Sequence, residues 1–202
     1  MPATTAVVRK KPRVDQSARR DAYVRTAAQV FLDKGLHTAT MSDIAVSAGA
    51  AKVLFYRVFP SKEALVEAVF ERVETAIQAA YEAPWDGYGS MVRRVLETAR
   101  GDPAPFLVVF RNCRGGPLDW EARLRVLLAR TALPLFAPGP NAPAGAEVRA
   151  LRAAGALFGL FTDSMITWLE EEDGLTDAER IRWWGRMVRE WRAATREAFQ
   201  LD

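Results

Sequence analysis

Residues 40–65, TMSDIAVSAGAAKVLFYRVFPSKEAL, hold two short apolar segments separated by a glycine. Thr40 stands three residues before Asp43, a spacing typical of a capping box in which Asp replaces the preferred Glu. Ile44 and the alanines after it supply a buried face, and Gly49 marks the end of that segment. The pattern predicts two short helices joined by a tight turn, which is the arrangement of a helix-turn-helix.

The second short helix is expected over about 51–59. Its candidate core residues are Leu54, Phe55 and either Val58 or Phe59. Pro60 and Ser61 then interrupt and re-cap the chain, so a long helix is expected from about 62 to 80. Its apolar positions recur with a period of four, at Leu65, Val69, Val73 and Ile77.

The rest of the chain is also helical in pattern, and no convincing run alternates apolar with polar residues. A first helix is expected over about 17–34, with a buried stripe of Val24, Ala27, Ala28 and Phe31 and a terminating Gly35. Further helices are expected near 86–100, 104–113, 119–136, 144–172 and 177–200, the last beginning with a Thr176–Glu179 capping box. We therefore predict an all-α protein with a basic arm at 1–14, a helix-turn-helix domain at 15–62 and a larger helical domain at 63–202.

Composition excludes several classes of protein. Half of the 202 residues are apolar, which is enough to bury a core and excludes wholesale disorder. A single cysteine, Cys113, allows no internal disulfide, and a single histidine, His37, allows no multi-histidine metal site. No apolar stretch approaches the roughly 20 residues of a membrane span, and the N-terminus lacks the apolar core of a secretory signal. The expectation is a cytoplasmic protein without a cofactor.

Charge is distributed unevenly along the chain. Residues 1–62 carry eleven basic and four acidic groups, a net charge of +7, whereas the remainder carries −4 to give +3 overall. A basic module joined to a mildly acidic body predicts a polyanionic partner for the first part. Within it, the arm at 9–13 (RKKPR) either enters a minor groove, lies on a phosphate backbone, or is a solvated tail.

A specific resemblance emerges from several short segments in fixed order. They are FLDKG at 31–35, TATMSDIA at 38–45, AG at 48–49, FY at 55–56, Phe59, and SKEAL at 61–65. This run resembles the DNA-binding domain of TetR-family transcriptional regulators, over about 27–65. The resemblance implies a DNA-binding regulator of transcription, a repressor in most cases, that binds double-stranded operator DNA as a homodimer and is released by a small-molecule effector.

The resemblance also implies roles for particular residues. Phosphate contacts would come from Thr40, Ser42, Tyr56 and Lys62, which set register rather than sequence preference. Base contacts would come from the exposed face of the second short helix, at Lys52, Val53 and Arg57, with Arg57 the best candidate for a bidentate contact to guanine. The chain departs from the family at Ala50 and Ala51, where valine and serine are common. An apolar recognition helix suggests contacts to thymine methyl groups and reliance on DNA shape.

The larger domain would provide a dimer interface and a pocket. The two C-terminal helices would form a four-helix bundle with their symmetry mates, through Gly155, Gly159, Ile181, Trp184, Val188 and Trp191. A pocket for a hydrophobic or aromatic ligand would be lined by Trp85, Tyr88, Phe106, Phe110, Arg111, Trp120, Phe161 and Met165, with Met91, Cys113 and Phe158 as further candidates. Arg111 either turns outward, pairs with an acid such as Asp163, or meets a polar group of the ligand.

The family mechanism couples the pocket to DNA binding through the fourth helix. A ligand that prefers the released shape lowers operator affinity by the coupling free energy between the two sites. The main alternative is an all-α small-molecule-binding protein or enzyme without DNA binding. No glycine-rich phosphate loop, metal-ligand spacing or nucleophile–histidine pair supports an enzyme. A second alternative within the family is an activator, or a redox sensor acting through Cys113.

Overall fold

The computed structural model describes residues 13–114, 119–171 and 173–202, and every regular element within these ranges is an α-helix. This confirms the all-α prediction. The helices, in chain order, are α1 (Arg13–Lys34), α2 (Met41–Ser47), α3 (Lys52–Val58), α4 (Lys62–Glu82), α5 (Ser90–Gly101), α6 (Pro103–Asn112), α7 (Trp120–Phe136), α8 (Ala146–Glu170) and α9 (Asp177–Phe199).

Two helix starts differ from the sequence expectation. α1 begins at Arg13, four residues early and inside the predicted arm at 1–14. The rest of the arm, residues 1–12 with the basic residues at 9–11, lies outside the described residues. α5 begins at Ser90 rather than near 86, because Gly87 and Gly89 both adopt positive φ angles, of 124° and 92°, which a continuing helix does not allow.

The chain divides into two compact units, with the boundary in the sequence between Leu65 and Val66. In the N-terminal unit, the apolar stripe expected on α1 is buried, and Phe31 and Ile44 are core residues. α3 differs from expectation because it buries only Phe55, and Leu54 is 48% exposed. A helix of seven residues presents one narrow side to the core, so the adjacent Leu54 turns away.

A reciprocal cap fixes the start of α2. The Thr40 side chain accepts a hydrogen bond of 3.1 Å from the Asp43 backbone N–H, while the Thr40 N–H and hydroxyl donate to Asp43 Oδ2 at 2.9 and 2.7 Å. Lys34 Nζ at the end of α1 donates to Asp43 Oδ1 at 2.7 Å. The capping box is therefore confirmed, and Asp43 also joins α2 to α1.

The six helices from α4 to α9 enclose the core of the C-terminal unit, and α7 packs closely against α8. Val69, Val73 and Ile77 of α4 are fully buried, as their period predicted. Trp120 stacks on Phe70, with ring centroids 5.2 Å apart. The second predicted capping box, Thr176 with Glu179, is also present at the start of α9.

The carboxylate of Asp43 makes the stability of the N-terminal unit sensitive to acid. Hydrogen bonds from Lys34 and then Thr40 hold the pKa of Asp43 well below its ordinary value of 3.8. A group whose pKa is lowered by folding contributes stability above its unfolded pKa, and that contribution is lost as the pH falls. We expect Asp43→Asn to lower the denaturation midpoint at pH 7, with a difference from the parent that shrinks as the pH falls below about 4.

Urea denaturation followed by circular dichroism between pH 7 and pH 3 measures this difference. Asp33→Asn is the matched control, because Asp33 accepts a hydrogen bond from the neighbouring Gln29 side chain and caps no helix. A pH-independent difference for Asp43→Asn, or an equal effect of the two substitutions, contradicts the assignment.

Candidate functional site

One side of α3 presents basic, aromatic and apolar groups to solvent. Lys52, Val53, Tyr56 and Arg57 are spaced to lie on neighbouring positions of the helix surface, and all four are exposed. Val53 is 74% exposed and Tyr56 38%. Within the described residues, the Arg57 guanidinium and the Tyr56 hydroxyl have no hydrogen-bond or ion-pair partner. The predicted base-reading residues Lys52, Val53 and Arg57 thus lie together, and the Lys52 ammonium lies 5.9 Å from the centroid of the Tyr56 ring.

The predicted phosphate contacts are placed less uniformly. Lys62 Nζ donates a hydrogen bond of 2.9 Å to the His37 carbonyl, which uses one of its three N–H donors and leaves two. The Thr40 hydroxyl proton is committed to Asp43, so in this arrangement Thr40 serves as a cap and has no proton to donate to a phosphate. Ser42 is exposed in the first turn of α2.

Two exposed apolar side chains on the same helices were not predicted as surface features. Val46 on α2 is 77% exposed and Leu54 on α3 is 48% exposed. Val46 lies one turn after Ser42 and shares its face, a spacing that the sequence already contained. Val46, Val53 and Leu54 give these two short helices an unusually apolar exposed surface.

The C-terminal unit contains a cavity of about 70 Å³. Its walls come from the loop before α5 and from four helices, and they are almost entirely apolar. They consist of Trp85, Tyr88 and Gly89; Met91 and Val92 on α5; Leu128, Ala132 and Leu135 on α7; Leu157, Phe158 and Phe161 on α8; and Trp184 and Val188 on α9. The predicted Trp85, Tyr88, Met91, Phe158 and Phe161 are therefore brought together.

Other predicted pocket residues do not line this cavity. Phe106, Phe110, Trp120, Met165 and Cys113 are buried in the surrounding core. An apolar helical pattern marks a residue as buried without showing whether it faces a cavity or another side chain.

Arg111 also lies away from the cavity. Its side chain is 44% exposed and forms an ion pair with Glu170 on α8. The structure combines two of the three arrangements considered for Arg111: the side chain turns outward, and it pairs with an acid, which is Glu170 and not Asp163.

The residues predicted for a dimer interface have other neighbours within their own unit. Trp184 and Val188 are each only 3% exposed and line the cavity, so they are not available at the surface. Trp191 packs on Phe136, with ring centroids 5.4 Å apart. Gly155 and Gly159 lie against arginine side chains of the same chain, those of Arg125 and Arg114, and Ile181 is half-buried beside Gly89.

The single thiol of the sequence, Cys113, does not lie in an environment that would make it reactive. Cys113 is 1% exposed, and burial raises the pKa of its thiol. That environment is the opposite of the electropositive, accessible one that activates a redox-sensing thiol. Within the described residues, no cluster of three potential metal ligands occurs, and no helix is long and apolar enough to cross a membrane.

Comparison with known proteins shows which family the N-terminal unit resembles. Residues 24–69 match the sequence profile of the bacterial regulatory proteins of the tetR family. The HTH-type transcriptional activator FasR of Mycolicibacterium smegmatis is 39% identical over 64 residues, covering 32% of this chain and 29% of FasR. The HTH-type transcriptional repressor KstR2 of the same species is 45% identical over 53 residues, 26% of each chain. The chain thus spans less than a third of the curated relatives it matches.

Solved structures extend the likeness to the whole fold. A tetR-family transcriptional regulator from Streptomyces coelicolor superposes with a TM-score of 0.60 at 20% identity, covering 91% of this chain and 82% of that one. A TetR-like transcriptional regulator from Rhodococcus sp. RHA1 gives 0.59 at 20% identity, covering 92% and 98%. At this identity the likeness is one of fold.

The cavity rim depends on a close approach at Gly185. A Cβ atom at this position would lie only 2.6 Å from the Tyr88 carbonyl oxygen. We expect Gly185→Ala to lower the free energy of unfolding by about 1–3 kcal/mol, because the rim backbone must move away. The matched control is Gly101→Ala, since a Cβ there meets nothing within 4 Å. Chemical denaturation measures both, and equal effects would contradict the close contact.

Proposed function

Because this chain belongs to the TetR family of bacterial regulatory proteins, we propose that it regulates transcription by binding double-stranded operator DNA through the exposed face of α3. The observation that carries this proposal is the grouping of three exposed side chains, Lys52, Tyr56 and Arg57, in which the Tyr56 hydroxyl and the Arg57 guanidinium have no hydrogen-bond partner among the described residues. A helix of this kind fits the major groove, which is about 12 Å wide. The protein acts in the cytoplasm, where the bacterial chromosome lies.

The proposed contacts divide into two kinds. Arg57 reads a guanine through two parallel hydrogen bonds, and Val53 contacts a thymine methyl group. Tyr56, Lys62 and Ser42 bind phosphates and set the register of α3 in the groove. Thr40 shapes the site by capping α2, and it reaches a phosphate only if its hydroxyl leaves Asp43.

We propose that the protein represses transcription and that a small molecule relieves this repression. Of two relatives, one is described as an activator and the other as a repressor, so similarity alone does not choose between them. The apolar cavity supports an effector site in the C-terminal unit. Ligand binding there lowers operator affinity if the ligand prefers the shape that does not bind DNA, and α4 is the proposed link.

A dimer is proposed because a single helix-turn-helix makes few contacts, and paired half-sites lie about 34–36 Å apart. Exposed apolar residues on α8 support a surface for it, since Val148 is 55% and Leu151 58% exposed. Gly155 and Gly159 continue the same face at helical spacing. Trp191 and Ile181, both half-buried, remain candidates on α9, whereas Trp184 and Val188 do not.

DNA binding is tested with duplex selected from a random library, titrated at several salt concentrations. Lys62→Ala should weaken binding to all sequences alike and reduce the salt slope by about 1, because one phosphate contact is lost. Arg57→Ala should instead relax the preference for the selected sequence at one base pair, costing about 1–3 kcal/mol there.

Arg186→Ala, which removes one exposed positive charge from α9, is the matched control and should leave both properties unchanged. A reversed pattern for Lys62 and Arg57 would contradict the assigned roles. An affinity that is absent or independent of salt would favour the alternative function, an all-α small-molecule-binding protein or enzyme, for which the cavity alone would account.

The dimer is tested by size-exclusion chromatography with light scattering at micromolar concentration. The parent should elute with twice the 22.4 kDa chain mass. Leu151→Glu should shift the species toward one chain mass, because it buries a carboxylate at an apolar contact. Leu175→Glu, at an exposed apolar position before α9, is the control. A parent that is monomeric, or a dimer unaffected by Leu151→Glu, overturns this surface.

A further inference from the structure

We infer that the cavity in the C-terminal unit takes an uncharged, compact and mainly apolar ligand of about one ring, and that it excludes carboxylates, phosphates and ammonium groups. This inference rests on the proposed function, in which a small molecule is the effector. It is narrower, because it assigns the chemical class of that molecule from the walls of the cavity.

Charge is the first ground for the assignment. Among the described residues that line the cavity, only Tyr88 has an ionisable side chain, its phenol. Arg125 contacts the ring of Phe158, one of the lining residues, but it does not line the cavity, and its guanidinium is bound to Glu121. An ionised ligand would therefore lose its hydration without gaining a counter-charge, and this penalty is large.

The small number of hydrogen-bonding groups in the cavity walls is the second ground, because it limits how polar the ligand can be. The side chains with a polar hydrogen are those of Trp85, Tyr88 and Trp184. Indole N–H groups only donate, whereas the phenol both donates and accepts. A single neutral hydroxyl or carbonyl on the ligand is compatible with this set, but a strongly hydrated group is not.

Shape and size give the third ground. Phe161 and Trp184 meet edge to face, with ring centroids 6.2 Å apart, so the wall offers both ring faces and ring edges. The cavity of about 70 Å³ is smaller than the roughly 150 Å³ of a cavity known to hold benzene. A one-ring ligand thus requires a small outward shift of a wall, and Trp85, which is 65% exposed, is the least constrained wall residue.

The experiment uses two pairs of probes that are matched in shape and differ in charge. Isopropylbenzene is paired with benzoate, and ethylbenzene with benzylammonium. Binding to the 202-residue chain is followed through the ¹³C-methyl signals of its methionines. Met91 lines the cavity, Met165 is fully buried but does not line it, and Met91→Leu identifies the reporting signal.

The neutral probes should shift the Met91 signal saturably and leave the Met165 signal unchanged, because aromatic rings displace the resonances of groups they contact. The charged probes should bind at least about 100-fold more weakly. Charged probes that bind within tenfold of their neutral partners, or neutral probes that do not bind, would overturn the inference.

Two variants test the location and the electrostatic cause. Ala132→Trp fills the cavity and should abolish the Met91 shift, whereas Val126→Trp, at an exposed position of the same helix, should not. If Ala132→Trp does not unfold cooperatively, Ala132→Leu replaces it. Leu135→Lys places a cation in the half-buried part of the wall and should admit benzoate. Continued exclusion of benzoate by Leu135→Lys would contradict the electrostatic cause.

A parallel DNA titration separates this inference from the proposed function. If the neutral probes bind but the protein has no affinity for DNA, the assigned ligand class is supported and the proposed role in transcription is contradicted. If the neutral probes bind and the protein binds DNA, but the probes do not change the affinity for DNA, both sites are supported and only the coupling between them is contradicted. If the protein binds DNA specifically but does not bind the neutral probes, only the assigned ligand class is contradicted.

Discussion

The burial of Phe55 is the constraint on which the proposed DNA-reading surface depends. α3 has seven residues, and Phe55 is the only one of them that is buried. Its ring packs against Tyr23 of α1, with centroids 5.1 Å apart, and against Phe59, at 6.1 Å. One anchored side chain sets the rotation of a short helix, so every other position of α3 is turned toward its flanks or toward solvent. The exposure of Arg57 follows from the packing of Phe55.

Much of the N-terminal unit could be predicted from sequence because its signals are local. A capping box involves residues three positions apart, and the Thr40–Asp43 pair forms as its spacing indicates. Glycines with positive φ end α1 and α2, at Gly35 and Gly49. Leu54 was assigned to the core wrongly, because a short apolar helix does not reveal which of two adjacent residues faces inward.

The cavity could be predicted only in part, since its walls come from segments far apart in the sequence. Trp184 and Val188 show the difficulty, because their helical spacing identifies an apolar stripe but not its partner. The stripe was expected to meet a second chain, and it faces a cavity of its own unit. Exposed residues such as Leu151 carry no comparable pattern signal, so the more accessible face of α8 appeared only in three dimensions.

The burial of the single thiol has a practical consequence. Cys113 is sealed in the core, and its raised pKa keeps it protonated at neutral pH. Maleimide reagents attack thiolates, so the native protein should remain unlabelled while a cysteine engineered onto the surface reacts. A spin label or fluorophore can thus be attached at one chosen position per chain without first removing the native cysteine. Distances between two copies in an assembly then become measurable in solution.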